Sequence, residues 1–130
     1  MKKNELIKEW IKKAENDLLT VENNLNSKSI PTDTVCFHCQ QAVEKSLKSY
    51  CVKLDIVFEK SHDLIYLLNI INKKTNGAMD DEIYLKCEKL NDYSTTMRYP
   101  MEKYEPTLQE AKEAYQIANQ VKEFICKQIQ

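Results

Sequence analysis

The sequence predicts an all-α fold, an up-and-down antiparallel bundle of four to five helices in one domain spanning residues 1–130. Three observations predict it. Apolar residues return every three or four positions through successive stretches of the chain, the period of an amphipathic helix. One glycine and three prolines leave few sites for the tight turns that many short strands would need. The stretches between periodic segments are short enough to join antiparallel neighbours, and 130 residues suffice for one continuous core.

Leu6, Ile7, Trp10, Ile11, Ala14, Leu18, Val21 and Leu25 form one stripe among lysines and glutamates, which predicts a long first helix. Asn23, Asn24, Asn26 and Ser27 weaken helicity, and Pro31 turns Ile30 away from helical angles, so a loop follows. From about Thr32 a second helix places Cys36, Cys39, Val43, Leu47, Tyr50 and Leu54 on one face, with Ala42, Ser46 and Ser49 beside them. Asp55 to Lys60 reads as a connection. Ser61 is the expected cap of a third helix burying Leu64, Ile65, Leu67, Leu68 and Ile71, closed by Asn76-Gly77. Asp80 caps a fourth through Ile83, Cys87 and Leu90, with Met79 placed to staple against Tyr84. Between Tyr93 and Pro106 the pattern breaks at Thr95, Thr96, Pro100 and Pro106. Thr107-Leu108-Gln109-Glu110 is a capping box opening a fifth helix that buries Leu108, Ala111, Tyr115, Ala118, Val121 and Ile125.

Charge narrows the function. Nineteen basic residues balance 20 acidic ones to a formal charge of −1, so any contact with a polyanion must be local. No apolar run approaches the roughly 18 residues that span a bilayer, and Met1 to Glu5 lack the apolar core of a signal peptide, so a cytoplasmic protein without membrane contact is expected. Five scattered cysteines suit a reducing compartment. With one glycine, no glycine-rich phosphate loop can form.

Arg98 is the only arginine beside 18 lysines. Lysine serves a solvated face well, whereas guanidinium alone offers a permanently charged planar fork for phosphate or carboxylate. Arg98 therefore reads either as a ligand-binding residue or as a structural clamp at a helix end. Around it, Tyr93, Met97, Tyr99, Met101 and Tyr104 gather where the helical pattern fails. They suit a dimer or partner surface, a platform for a base, or packing onto their own bundle. Cys36 and Cys39 have the spacing of a zinc half-site, but both fall on the apolar stripe and lack a second close pair, so they read as core thiols and no metal or other cofactor is expected. His62 is expected in the first turn of the third helix, where the dipole favours a neutral imidazole. Glu44 and Lys45, beside Gln40 and Gln41, form a polar row that either lines an interhelical groove or, by default, faces solvent.

The run Cys36-Phe37-His38-Cys39-Gln40-Gln41-Ala42-Val43-Glu44-Lys45-Ser46-Leu47-Lys48, then Ser61-His62-Asp63-Leu64 and Asn91-Asp92-Tyr93 leading to Arg98-Tyr99-Pro100, resembles the HEPN family. The resemblance extends from Ala14-Glu15-Asn16-Asp17-Leu18 to the last helix. It implies a helical bundle that pairs with a second copy, and a function in binding a nucleotide or accompanying a small nucleotidyltransferase, sometimes as a toxin–antitoxin pair. Arg98, Tyr99, Tyr104, His62, Glu44 and Lys45 are the expected ligand-binding set. In the ribonuclease branch of the family an arginine is followed four to six residues later by a histidine. Here Tyr104 stands at the far limit of that spacing, and no histidine follows His62. Tyrosine, with a reference pKa near ~10, is a poor proton-transfer group at neutral pH. Strong metal-independent ribonuclease activity is therefore not expected. A divergent ribonuclease using His38 or His62, and a purely structural interaction subunit, stand as the alternatives.

Overall fold

The computed structural model describes residues 2–94 and 105–130. Five α-helices and one short 3₁₀ turn account for its regular structure: α1 (Lys3–Leu25), α2 (Thr32–Lys53), α3 (Leu64–Thr75), α4 (Asp81–Asn91), the turn Asp92–Ser94 and α5 (Leu108–Ile129). The antiparallel bundle is the one the apolar period predicts. No helix among the described residues is long and apolar enough to cross a membrane.

The ends follow local chemistry. Asn76 takes the left-handed conformation at the close of α3 (φ 60°), and Gly77 follows at φ 100°. The Asp80 carboxylate accepts the Ile83 N–H at 3.0 Å, and Asn72 ties that corner by bonding both backbone groups of Met79 and the Tyr84 hydroxyl. At α5 the Thr107 hydroxyl accepts from the Glu110 N–H while the Glu110 carboxylate accepts from the Thr107 N–H, completing the capping box.

The cap of α3 differs from expectation. Asp63, not Ser61, accepts the Ile65 N–H, and the Ser61 hydroxyl accepts the Asp63 N–H one step upstream. A carboxylate is the better acceptor at the positive end of a helix. His62 thus precedes α3 instead of lying in its first turn. Leu108 also departs from expectation, being exposed at the capped entrance of α5.

Helix α2 is the axis of the bundle. It packs against α1 and α5 most extensively and also against α3, α4 and the 3₁₀ turn. Val35, Cys36, Cys39, Ala42, Val43, Leu47 and Cys51 are fully enclosed on it, and Gln40, Glu44, Ser46, Lys48 and Ser49 are buried as well. A helix surrounded in this way has little solvent face for its polar residues.

Candidate functional site

Two carboxylates enter this interior, and each is met by one lysine and one histidine. Glu44, 3% exposed, accepts from Lys48 Nζ at 2.9 Å through Oε2. Its Oε1 faces His62 Nδ1 at 3.0 Å, with the Gln40 and Gln41 amides at 3.4 Å. Gln40 also donates to the His62 backbone carbonyl at 3.0 Å, and Gln41 Nε2 to the Gln40 side-chain Oε1 at 2.8 Å, so the Gln40 amide, itself held by Gln41, ties the loop before α3 to α2. The Lys48 ammonium lies 5.5 Å from the Trp10 ring centre and 5.9 Å from that of Phe58, within the range in which aromatic faces stabilise a cation.

Asp17 repeats the arrangement on α1. It sits 7% exposed between Ala14, Leu18 and Val21, on the buried stripe. Lys45 Nζ donates to its Oδ2 at 2.6 Å, and His38 Nδ1 stands 2.8 Å from its Oδ1. Burying a charge is tolerable only with such compensation, because the penalty for losing water is several kcal/mol per ion. Asp17 carries a signal in the sequence: it falls at helical spacing among Ala14, Leu18 and Val21, where an uncompensated acid would not survive.

The default expectation that Glu44 faces water is thereby overturned, because α1, α3 and the loop before α3 cover the polar side of α2. Lys45 is partly buried on Asp17 and belongs to the first-helix cluster instead of a shared row with Glu44. His62 is brought to Glu44, with over half of its side chain still exposed. Next to it opens a cleft of about 300 Å³ lined by Ser61, His62, Asp63, Asn91, Asp92 and Ser94. Asn91 builds its wall: Oδ1 accepts the Leu64 N–H at 2.8 Å, and Nδ2 donates to Asp63 at 2.9 Å. Tyr93 is half-buried against the bundle core and reaches the Cys36 thiol. Met97, Arg98, Tyr99, Met101 and Tyr104 lie outside the described residues.

The thiols behave as interior groups. Cys36 and Cys39 are wholly enclosed; burial pushes Cys36 up to about 11 against a smaller opposing bond from Tyr93, and raises Cys39 as well. Among the described residues no group of three or more histidine, cysteine or acidic side chains is arranged to hold a metal ion.

The HEPN domain model matches residues 7–129. Two solved structures share the fold. One is ST0689, an archaeal HEPN homologue, at 24% identity and a TM-score of 0.76 over 95% of this chain and 98% of the other. The second is TT1696 from Thermus thermophilus, at 22% identity and a TM-score of 0.81 over 93% and 96% of the two chains. No curated protein matches the chain.

Proposed function

The chain belongs to the HEPN family, and from that premise we propose that it is a dimerising module that holds a nucleotide or docks a small nucleotidyltransferase, within a toxin–antitoxin type of pairing. The observation that carries this reading is the buried Glu44 carboxylate meeting the half-exposed His62 beside the cleft between the start of α3 and the end of α4. A buried acid fixing a surface imidazole is an organised arrangement for contacting a ligand, since the imidazole is held in one orientation before anything binds. Arg98 follows Ser94, the last residue lining the cleft, by four residues. In this reading Arg98 supplies the fork for phosphate, with Tyr99 and Tyr104 as its aromatic neighbours in sequence, and Glu44 acts through His62. Tyr93, Met97 and Met101 are assigned to the dimer or partner surface.

Titrating ATP and GTP into the purified protein by calorimetry, with light scattering for its mass, tests this reading. Saturable binding lost in Arg98→Ala is expected, together with twice the chain mass in solution. Failure of both nucleotides to bind, and of a nucleotidyltransferase to co-purify from the source cell, defeats it.

A second reading is favoured by one feature: both histidines direct Nδ1 to a buried carboxylate. That is how an acid–base imidazole is set, with Nε2 left to move a proton. A divergent ribonuclease would use His62 or His38 in this way. Incubation with mixed RNA decides it: cleavage abolished by both Arg98→Ala and His62→Gln favours the enzyme, and intact RNA removes it.

A further inference from the structure

The cleft beside His62 has a chemistry of its own. A ring nitrogen 3.0 Å from a buried carboxylate oxygen carries the proton, so Nδ1 donates to Glu44 and the neutral ring keeps a bare Nε2, an acceptor. Among the described residues the charged groups lining the cleft are the carboxylates of Asp63 and Asp92, with no lysine beside them. Asp63 uses Oδ1 for the Ile65 N–H and the Asn91 amide, which leaves Oδ2 uncommitted among the described residues. Asn91 has its Oδ1 filled by the Leu64 N–H, and Ser94 donates its hydroxyl to the Asn91 carbonyl at 3.2 Å. The groups facing His62 from the elements around it are Glu44 and Lys48 of α2, which neutralise one another, Asp63 at the cap of α3 and Asp92 after α4.

Among the described residues two carboxylates face the cleft with no cationic side chain beside them there, which disfavours phosphate at that end. The cleft's acceptors, His62 Nε2, Asp63 Oδ2 and the Asp92 carboxylate, call for hydrogen-bond donors on a ligand. Resting on the nucleotide-binding reading above, we infer that this cleft takes the donor-bearing end of a nucleotide, the ribose hydroxyls or the amino group of the base, and leaves the phosphates outside. Carboxylates are strong acceptors for ribose hydroxyls, and a site whose acceptors are left unpaired rejects the analogue lacking the donor. Specificity for ribonucleotides, or for bases carrying an amino group, then originates at His62, Asp63 and Asp92.

The experiment compares ATP, dATP and ITP by calorimetry on the full chain at pH 8, with inorganic tripolyphosphate as the phosphate-only probe and the His62 ring nitrogens followed by NMR. A charge-assisted hydrogen bond corresponds to about a tenfold or larger change in affinity. Weaker binding of dATP identifies the ribose as the donor, and weaker binding of ITP identifies the base amino group. Asp92→Asn, an exposed position outside the Glu44 cluster, is expected to shrink that gap. Equal affinity for all three nucleotides, a gap unmoved by Asp92→Asn, or tripolyphosphate shifting the His62 resonance as ATP does would each overturn the inference while leaving nucleotide binding in place. Absence of binding by every nucleotide overturns both.

Discussion

Removing the Glu44 carboxylate tests the interior cluster most directly. In Glu44→Ala the Lys48 ammonium, with 9% of its side chain exposed, loses its only ion-pair partner among the described residues. The His62 Nδ1–H and the Gln40 and Gln41 amides lose an acceptor at the same time. Breaking a buried pair by removing one partner costs about 3–5 kcal/mol, because the surviving charge is left without compensation. The Trp10 and Phe58 rings flank Lys48 and offset part of that loss, which places the expectation at the lower end, about 3 kcal/mol. With a urea m-value of roughly 1.5 kcal/mol/M for a domain of this size, the midpoint falls by about 2 M. Urea unfolding followed by far-ultraviolet circular dichroism reads this directly. The double variant Glu44→Leu with Lys48→Met should recover most of the stability, since two apolar residues need no partner. A midpoint for Glu44→Ala within about 0.3 M of the parent would refute the argument that the cluster is energetically dry.

Thr107→Ala removes half of the capping box and should destabilise the protein by about 1 kcal/mol in the same urea assay, with Thr107→Ser restoring most of it. Asn76→Ala removes the short amide side chain that lets asparagine adopt the left-handed region at φ 60° and should lower stability by roughly 1 kcal/mol, whereas Asn76→Gly should be neutral or better in thermal unfolding. Cys36 is raised to about 11, and Cys51 and Cys87 to about 12, in each case chiefly by burial. A raised thiol pKa means less thiolate at any pH below it, so at pH 8 roughly one Cys36 in a thousand is ionised. Iodoacetamide on the native protein should therefore modify the partly exposed Cys126 first, giving one adduct by intact mass, and reach the other four only in urea. Rapid modification of Cys36 at pH 8 would contradict its enclosure.

The helices are legible in the sequence because local signals agree with the long-range answer. Asn76-Gly77, Asp80 and Thr107…Glu110 each end or begin an element by short-range chemistry, and the buried positions of α4 follow its apolar period without exception. Harder to read is which residue caps α3. Ser61 and Asp63 are both competent, and the choice turns on the Asn91 side chain, which reaches Leu64 and Asp63 from 27 and 28 residues away. The interior polar cluster is hidden for a similar reason. Glu44 looks like a solvated residue until α1 and the loop before α3 are laid against α2, and neither approach is written in the neighbouring sequence. His38 stands out in the sequence for its place between two cysteines, while its partner Asp17 is 21 residues upstream. The expectations for Arg98, Tyr99 and Tyr104 rest on sequence and family alone.

The paired charges also govern how the central rod is seated. A single-residue slip of α2 rotates it by about 100° and would carry Glu44 and Lys45 away from His62 and Asp17 together, stranding two acids in hydrocarbon. Leucine-rich surfaces tolerate such sliding, since one aliphatic contact replaces another at small loss. Here the ionic contacts act as a two-point key, one tooth on α1 and one before α3, that admits a single rotational setting. Apolar repacking at both teeth would yield a more forgiving bundle, with the imidazole of His62 no longer aimed at anything.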